Sequence, residues 1–337
     1  MFTQPSEQTN PRHSVSTHKT HLISIAVSIP SHTRGRYLTA LVTGILALLT
    51  SQISQAESPT QHELNIVVPA EKDAHVRDFD TYFMRLLELA LDKSGQPYRI
   101  THKATQVFNE ARSEHNLTLN NYNLHWLNTS IERESSLIPV KVPLFKGLIG
   151  WRLLLIRPET QARFDKVEQL DQLRPLRAGQ GHDWPDTPVL KANGLTVVAS
   201  GSWEGLFKML QLDRVDYLPR SVIEIWREQR IHAELGLQIE SHLALNYQAA
   251  YYFFVNKQNP QIASAVNRGL LLAVEDGSFD EVFQQYFGEY LTKAQLEKRQ
   301  ILRLSNPYFA ELPDPRLWYQ PRPLQAPAAD LGAATPP

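Results

Sequence analysis

Residues 64–101 read LNIVVPAEKDAHVRDFDTYFMRLLELALDKSGQPYRIT, and the fold class follows from this stretch. Residues 64–69 form a short, mostly apolar run closed by a proline, which is typical of a buried strand. Apolar residues then repeat at helical spacing on one face: Phe83, Leu86, Leu87, Ala90 and Leu91. The helix is expected to end at Ser94-Gly95, and a second strand follows at 98–101. This β-α-β order predicts a largely parallel sheet flanked by helices.

The alternation of strand and helix patterns continues along the chain. Apolar or β-branched runs at 152–157, 176–178, 195–199 and 251–255 predict further strands. Ser202 has the small hydroxyl side chain that caps a helix, and apolar residues share one face after it. Two more helical patterns follow the last strand, and no repeat of fixed period is visible. The whole pattern indicates an α/β protein.

Composition excludes several classes of function. The 337 residues include 34 Lys and Arg against 35 Asp and Glu, and the net charge of −1 provides no general attraction for nucleic acid. The chain has no cysteine, which excludes disulfides, thiolate metal sites and cysteine nucleophiles. The twelve histidines show no metal-binding spacing, and no complete nucleophile-elbow or dinucleotide motif is present. We therefore expect no metal, no cofactor and no enzyme activity.

The two ends carry signals of export and of disorder. Residues 34–49 hold two arginines followed by an apolar run, and Ser54-Gln55-Ala56 offers the small residues that a signal peptidase reads. The run is shorter than the roughly 20 residues that span a bilayer. Residues 1–56 are therefore predicted to be an N-terminal extension and signal peptide, cleaved after Ala56. Residues 319–337, rich in proline and alanine, are predicted to be a disordered tail.

Several short motifs, taken in order, resemble those of one family. They are WLNTSIER at 126–133, VPLFKG at 142–147, LRAGQG at 176–181, SWEGLFKML at 202–210 and RVDYLPR at 214–220. The chain resembles the extracytoplasmic (periplasmic) solute-binding proteins of the amino-acid-binding class, which serve ABC importers. This class is solute-binding protein family 3, with the type II periplasmic binding fold. The resemblance covers about residues 62–290.

The resemblance implies a two-lobed α/β fold, in which each lobe is a mostly parallel sheet flanked by helices and the chain crosses twice between lobes. Lobe 1 would comprise residues 62–147 plus 246–318, and lobe 2 residues 148–245. A ligand would lie in the cleft between the lobes and be trapped by their closure. The implied function is the capture of a small polar, carboxylate-bearing, amino-acid-like solute in the periplasm for an ABC permease.

The resemblance also implies a set of ligand-binding residues. Arg133 falls where the family places an arginine whose planar fork holds an α-carboxylate. The alternative is a surface ion pair with Glu132 or Glu134. Backbone N–H groups near Gly181 and the aromatic face of Trp184 would complete the cleft. The predicted residues are Trp126, Asn128, Ser130, Arg133, Gly181, His182, Trp184, Arg220 and Ser221.

The chain departs from the family pattern after Asp216. A carboxylate that pairs with the ligand's ammonium is expected about five residues further on, where Ser221 follows Arg220. An arginine at this place repels a cation, which favours an acidic or non-amino-acid solute, or a loss of binding. Two other functions stay open. One is a ligand-sensing or accessory protein that signals to a membrane partner, and the other is a dehydratase-like enzyme with His182 and Asp183 as acid and base.

Overall fold

The computed structural model describes residues 62–71, 77–105, 110–309 and 314–321. The strands are β1 (Leu64–Glu71), β2 (Tyr98–Thr105), β3 (Leu124–Asn128), β4 (Ile138–Val140), β5 (Trp151–Ile156), β6 (Arg177–Gly181), β7 (Thr196–Ser200), β8 (Leu218–Ser221), β9 (Gln238–Ile239), β10 (Leu243–Asn246), β11 (Tyr251–Val255) and β12 (Gln300–Arg303). The α-helices are α1 (Arg77–Ser94), α2 (Glu110–Thr118), α3 (Ile131–Ser136), α4 (Gln161–Phe164), α5 (Leu170–Leu173), α6 (Asp186–Ala192), α7 (Trp203–Gln211), α8 (Ile225–Ile231), α9 (Pro260–Glu275) and α10 (Ser278–Ala294).

Two predictions about the ends concern residues beyond these ranges. The predicted signal peptide and its cleavage after Ala56 lie outside the described residues, as does the predicted tail from residue 322 onward. Within the described ranges, no helix is both long enough and apolar enough to cross a membrane.

The first group of strands, β1 to β4 and β11, forms the two sheets expected for lobe 1. β1 and β2 are parallel and are joined through α1, as the β-α-β pattern predicts. β11 lies between β3 and β4 and is antiparallel to both. The side chain of Asn123 joins the two sheets, because its oxygen accepts a hydrogen bond from the Val67 amide at 2.8 Å. Strand directions are thus more mixed than predicted, since β11 enters this sheet from the other lobe.

The second group of strands, β5 to β10 and β12, forms the two sheets expected for lobe 2. β5 lies between β10 and β8 and is antiparallel to both, while β6 and β7 are parallel. β12 pairs in parallel with β10. The predicted assignment of residues 246–318 to lobe 1 stays a prediction. The chain returns to the second sheet after α10, because β12 completes the edge of that sheet beside β10.

The apolar faces predicted for the helices pack in the core. On α1 and α10 these residues are buried: Phe83, Leu86, Leu87, Ala90, Leu91, Phe279, Val282, Phe283 and Phe287. α9 crosses α1 at Gly269, where an added Cβ would lie 1.7 Å from the carbonyl oxygen of Ala90. Only glycine permits this close approach of two helices. The helical period of the sequence therefore identifies the core of this region correctly.

The crossover that leads from the first group of strands to the second is built around Gly147. This residue has a φ of 77°, a left-handed conformation that favours glycine. The ring of Trp318 covers it so closely that a Cβ would lie 2.2 Å from a ring carbon. The backbone N–H of Tyr319 donates to the carbonyl of Lys146 at 2.7 Å. Residues 314–321 therefore lie across the crossover.

Candidate functional site

A cleft of about 440 Å³ is bordered by residues from both groups of strands. The lining residues are Glu110, Ala111, Asn128, Ile149, Arg152, Asp183, Trp184, Pro185, Asp186, Arg220, Glu224 and Tyr251. Four of these side chains are carboxylates and two are guanidiniums. The volume lies in the range of small-molecule sites, which span roughly 300–1,000 Å³. The cleft is therefore the candidate functional site.

α2 and the loop after β3 enclose Arg133, which is 7% exposed. Its Nε donates to Glu114 at 3.0 Å and its Nη1 donates to Glu110 at 3.2 Å. The two glutamates are one helical turn apart, so both carboxylates face the same guanidinium. Nη1 also donates to the backbone carbonyl of Asn128. The hydroxyl of Tyr251 donates to the second oxygen of Glu110 at 3.0 Å.

The structure corrects the expected exposure of Arg133. Arg133 is not among the cleft-lining residues, since Glu110 borders the cleft in its place. The surface alternative also differs from what is observed, because Glu134 pairs with Lys141 at 2.7 Å. A ligand carboxylate at the guanidinium would have to displace Glu110 or share the guanidinium with it. A ligand-binding role of Arg133 is therefore still a prediction, and one that now requires a rearrangement.

β8 places Arg220 in the cleft, where it forms a second charge centre. Its Nε and Nη2 donate to the two oxygens of Glu228, both at 2.6 Å. Nη2 also lies 3.3 Å from a carboxylate oxygen of Glu224. The guanidinium carbon is 4.3 Å from the ring centroid of Trp184, within cation–π distance. The geometry therefore fixes Arg220 at the surface of the cleft with an aromatic ring against its face.

Arg152 forms a third charge centre within the otherwise apolar strand β5. It is 2% exposed, and its Nη2 donates to Asp186 at 2.6 Å. The hydroxyl of Tyr247 donates to the same oxygen of Asp186 at 2.5 Å. Burial lowers the pKa of Arg152, but Asp186, Tyr247 and Glu224 raise it by more, so the net shift is upward. Arg152 therefore stays charged and joins β5 to α6 and to Tyr247.

Burial, together with nearby negative charge, shifts the pKa values of two residues that line the cleft. Burial raises the pKa of Glu224 above 4.5, and Glu228 raises it further, although Arg220 and Arg152 act in the opposite direction. Burial also raises the pKa of Tyr251 well above its usual value, with Glu110 and Glu224 adding to the shift. Both shifts therefore follow first from the burial of the group itself and then from the neighbouring carboxylates.

Three of the predicted residues line the cleft: Asn128, Trp184 and Arg220. Ser130 instead borders a smaller cavity of about 200 Å³, which also touches Asn128 and Asp186. The Ser130 hydroxyl caps α3 by accepting from the backbone N–H of Arg133 at 3.2 Å. The roles of these residues in ligand binding stay predictions.

Trp126 and Ser221 do not line the cleft, and their predicted roles in ligand binding stay predictions. Trp126 is 7% exposed and stacks on Phe83 with ring centroids 5.2 Å apart, which makes it a core residue. Ser221 is fully buried, and its hydroxyl donates to the carbonyl of Leu148 at 3.1 Å. Each side chain is held by packing or hydrogen bonding inside the protein rather than at the site.

Gly181 and His182 also lie outside the lining of the cleft. At Gly181 an added Cβ would lie 2.4 Å from the ring of Trp184, so this glycine supports the position of the ring. The His182 side chain is 64% exposed, and its Nδ1 is 3.8 Å from an oxygen of Asp183. Searched over the described ranges, the chain holds no group of three or more His, Cys, Asp or Glu residues that could bind a metal.

Sequence reasoning missed several residues of the cleft, of which the most important are Glu110, Arg152, Glu224 and Tyr251. Two signals could have found Glu110, Glu224 and Arg152. Glu110 and Glu114, like Glu224 and Glu228, are four residues apart, a spacing that brings two carboxylates to one helical face. Arg152 is a single charge in an apolar strand, and such a charge requires a buried partner.

No protein-family model matches the chain, and no curated protein matches its sequence. The chain is similar in structure to the probable amino-acid ABC transporter extracellular-binding protein of Bacillus subtilis, with a TM-score of 0.50 at 16% identity over 68% of this chain and 99% of that one. An ancestral arginine-binding protein bound to arginine gives 0.46 at 17% identity over 66% and 98%. The periplasmic VFT2 domain of Bordetella pertussis BvgS gives 0.48 at 14% over 66% and 93%. The first likeness shows the fold: this chain has the two-lobed periplasmic-binding-protein fold.

Proposed function

We propose that this protein is an extracytoplasmic solute-binding protein that takes a small polar solute into the cleft. The observation that carries the proposal is the cleft, where charged groups of both signs and two aromatic side chains, Trp184 and Tyr251, border one space of about 440 Å³. A pocket of this size with a few converging polar groups suits an amino-acid-sized molecule. The two-lobed fold supports the same function, since closure of lobes around a ligand is its usual motion.

The charges of the cleft favour a solute that carries a positive group. Its lining includes the carboxylates of Glu110, Asp183, Asp186 and Glu224 against the guanidiniums of Arg152 and Arg220. A carboxylate-bearing solute, as expected from the sequence, would find both guanidiniums and that of Arg133 already paired within the protein. We therefore include an amine or guanidinium group of the solute in the proposal and leave the carboxylate out.

Location and partner follow from the sequence and from the fold. The predicted signal peptide ends at Ala56, and the similar Bacillus subtilis protein is described as the extracellular-binding part of an ABC transporter. We propose a periplasmic protein that delivers its solute to an ABC permease and that performs no reaction of its own. No cofactor takes part in this proposal.

One observation favours a second candidate function. The arginines of the site are compensated by the protein's own carboxylates, so the cleft needs no anionic ligand to be stable. This arrangement also suits a sensor or accessory protein whose lobes signal to a membrane partner. Genes for a permease and an ATPase beside this one would support import, and a histidine kinase or cyclase gene would support sensing.

A thermal-shift screen tests the proposed function. The protein is melted with amino acids, di- and tricarboxylates, opines, polyamines and small peptides. A ligand present at a hundred times its dissociation constant stabilises the folded state by about 2.7 kcal/mol, which gives a clear shift. We expect a dose-dependent shift from compounds that carry an amine or guanidinium group. If no compound of any class shifts the melting temperature, the proposed solute-binding function is wrong.

A further inference from the structure

We propose that Glu110 is a built-in substitute for a ligand carboxylate and that it makes the cleft selective for small organic cations without a carboxylate group. This inference rests on the proposed function and narrows the class of solute. Glu110 is then the residue that determines specificity, and Arg133 is the residue that positions it.

The first observation that supports this inference is the pair of hydrogen bonds that Glu110 accepts. One oxygen accepts from Nη1 of Arg133 at 3.2 Å, and the other accepts from the hydroxyl of Tyr251 at 3.0 Å. A guanidinium N–H together with a phenolic O–H is a set of donors that a free carboxylate would bind well. Glu110 and Tyr251 line the cleft, whereas Arg133 does not. Glu110 therefore occupies the donors that an anionic group entering the cleft would need.

The second observation is that displacement of Glu110 from Arg133 by a ligand carboxylate is unfavourable. A ligand carboxylate at Arg133 would either expel Glu110 from both donors or share the guanidinium with it. Sharing brings three carboxylates to one cation, because Glu114 already accepts from Nε at 3.0 Å. Like charges at such distances repel, and the exclusion of a wrong ligand by repulsion is an effective source of specificity.

The third observation concerns what the cleft accepts. Glu110 and Glu224 both border the cleft. Glu110 begins α2, next to the first group of strands, and Glu224 precedes α8, next to the second group. Arg220 is held mainly by Glu228, at 2.6 Å, and lies further from Glu224, at 3.3 Å. The contacts of Glu224 with Arg220, Arg152 and the Ser221 amide use one of its oxygens, Oε2, so Oε1 keeps acceptor capacity that a ligand can use. A primary ammonium carries three donors and no acceptor, so it can bind both glutamates and join the two regions.

The test uses the full chain with Glu110→Ala and with Glu132→Ala as the matched control. Glu132 lies next to Arg133 on the exposed side of α3, so its removal changes the net charge equally without opening the site. Binding of 1,4-diaminobutane and of acetate is measured by calorimetry, with chloride at equal ionic strength. We expect the wild type and the control to bind the diamine at least tenfold tighter than Glu110→Ala does. We expect acetate to bind Glu110→Ala saturably and to restore its diamine affinity.

The outcomes separate the inference from the proposed function. No binding of diamine to the wild type overturns the inference, even if acetate binds to Glu110→Ala, whereas the proposed function fails only if the thermal-shift screen finds no ligand of any class. Acetate binding to the wild type as tight as to Glu110→Ala overturns the inference and leaves solute binding intact. A folded Glu110→Ala variant that acetate does not rescue also overturns it. If Glu110→Ala does not fold, Glu110→Gln should lose diamine affinity tenfold, and full retention would overturn the inference.

Discussion

Arg133 and Arg220 lie in different regions of the molecule, and each is held by two glutamates that are four residues apart. Arg133 uses Nη1 for Glu110 and Nε for Glu114, at 3.2 and 3.0 Å. Arg220 places two nitrogens on the two oxygens of Glu228, both at 2.6 Å. Arg220, bound through two nitrogens to one glutamate, lies at the surface of the cleft. Arg133 divides its nitrogens between two glutamates, and one of these, Glu110, lines the cleft in its place. The arrangement of the partners, rather than the residue types, decides which group a ligand meets.

Removal of Arg220 should produce the largest effect. Arg220→Ala leaves the Glu228 side chain, which is 9% exposed, without its cation. Breaking a buried ion pair in this way costs about 3–5 kcal/mol of unfolding free energy. Urea denaturation measures it, with Arg174→Ala as the control, because Arg174 and its partner Asp171 are 48% and 76% exposed. The control should lose about 1 kcal/mol or less. A loss below that of the control would contradict a buried pair at Arg220.

Removal of Arg133 should cost less, and this difference is the sharpest test of the comparison. The side chains of Glu110 and Glu114 are 35% and 26% exposed, so water can solvate them after Arg133→Ala. Hydrogen bonds to charged groups contribute about 1.5–3 kcal/mol, and we expect a loss of unfolding free energy in that range. The same urea experiment ranks the two variants. If Arg133→Ala is the less stable one, the two centres do not differ as described.

The smallest expected effect concerns the pH dependence of Glu224. Its pKa in the folded state is raised, so the folded state binds this proton more tightly than the unfolded state does. The carboxylate therefore weakens stability above its folded pKa, and the weakening disappears as pH falls through that pKa toward 4.5. Glu224→Gln should exceed the wild type in stability near neutral pH and lose this advantage on acidification. Urea denaturation at several pH values measures this, and a difference between the variant and the wild type that does not change with pH would refute the prediction.

The helix α1, the strands β1 and β2 that flank it, and the helices α9 and α10 could be predicted because they depend on local period. The spacing of the apolar residues of α1 predicts its buried face, which includes Phe83 and Leu87. The position of β12 could not be predicted in this way. Its four residues pair with β10 only after the chain has passed through α9 and α10, and pairing over such a separation depends on the path of the chain.

The sequence predicted that a cleft exists and three of its lining residues, but it did not predict the contacts that these residues make. Arg220 and Ser221 are neighbours on β8, and successive side chains of a strand point to opposite faces, so only one of the two could face the cleft. All five residues of β3 are buried, so alternation does not separate Trp126 from Asn128. Arg133 joins Glu110 across 23 positions of the sequence, a distance over which no local pattern applies.

The covering of Gly147 by Trp318 has a consequence for the order of events during synthesis. The crossover leaves the ribosome long before residues 314–321 exist, so its glycine stays uncovered while most of the chain is translated. The packing that completes the crossover can form only after residues 314–321 have been added. A nascent chain that extends only as far as α10 therefore contains the crossover but not the residues that cover it.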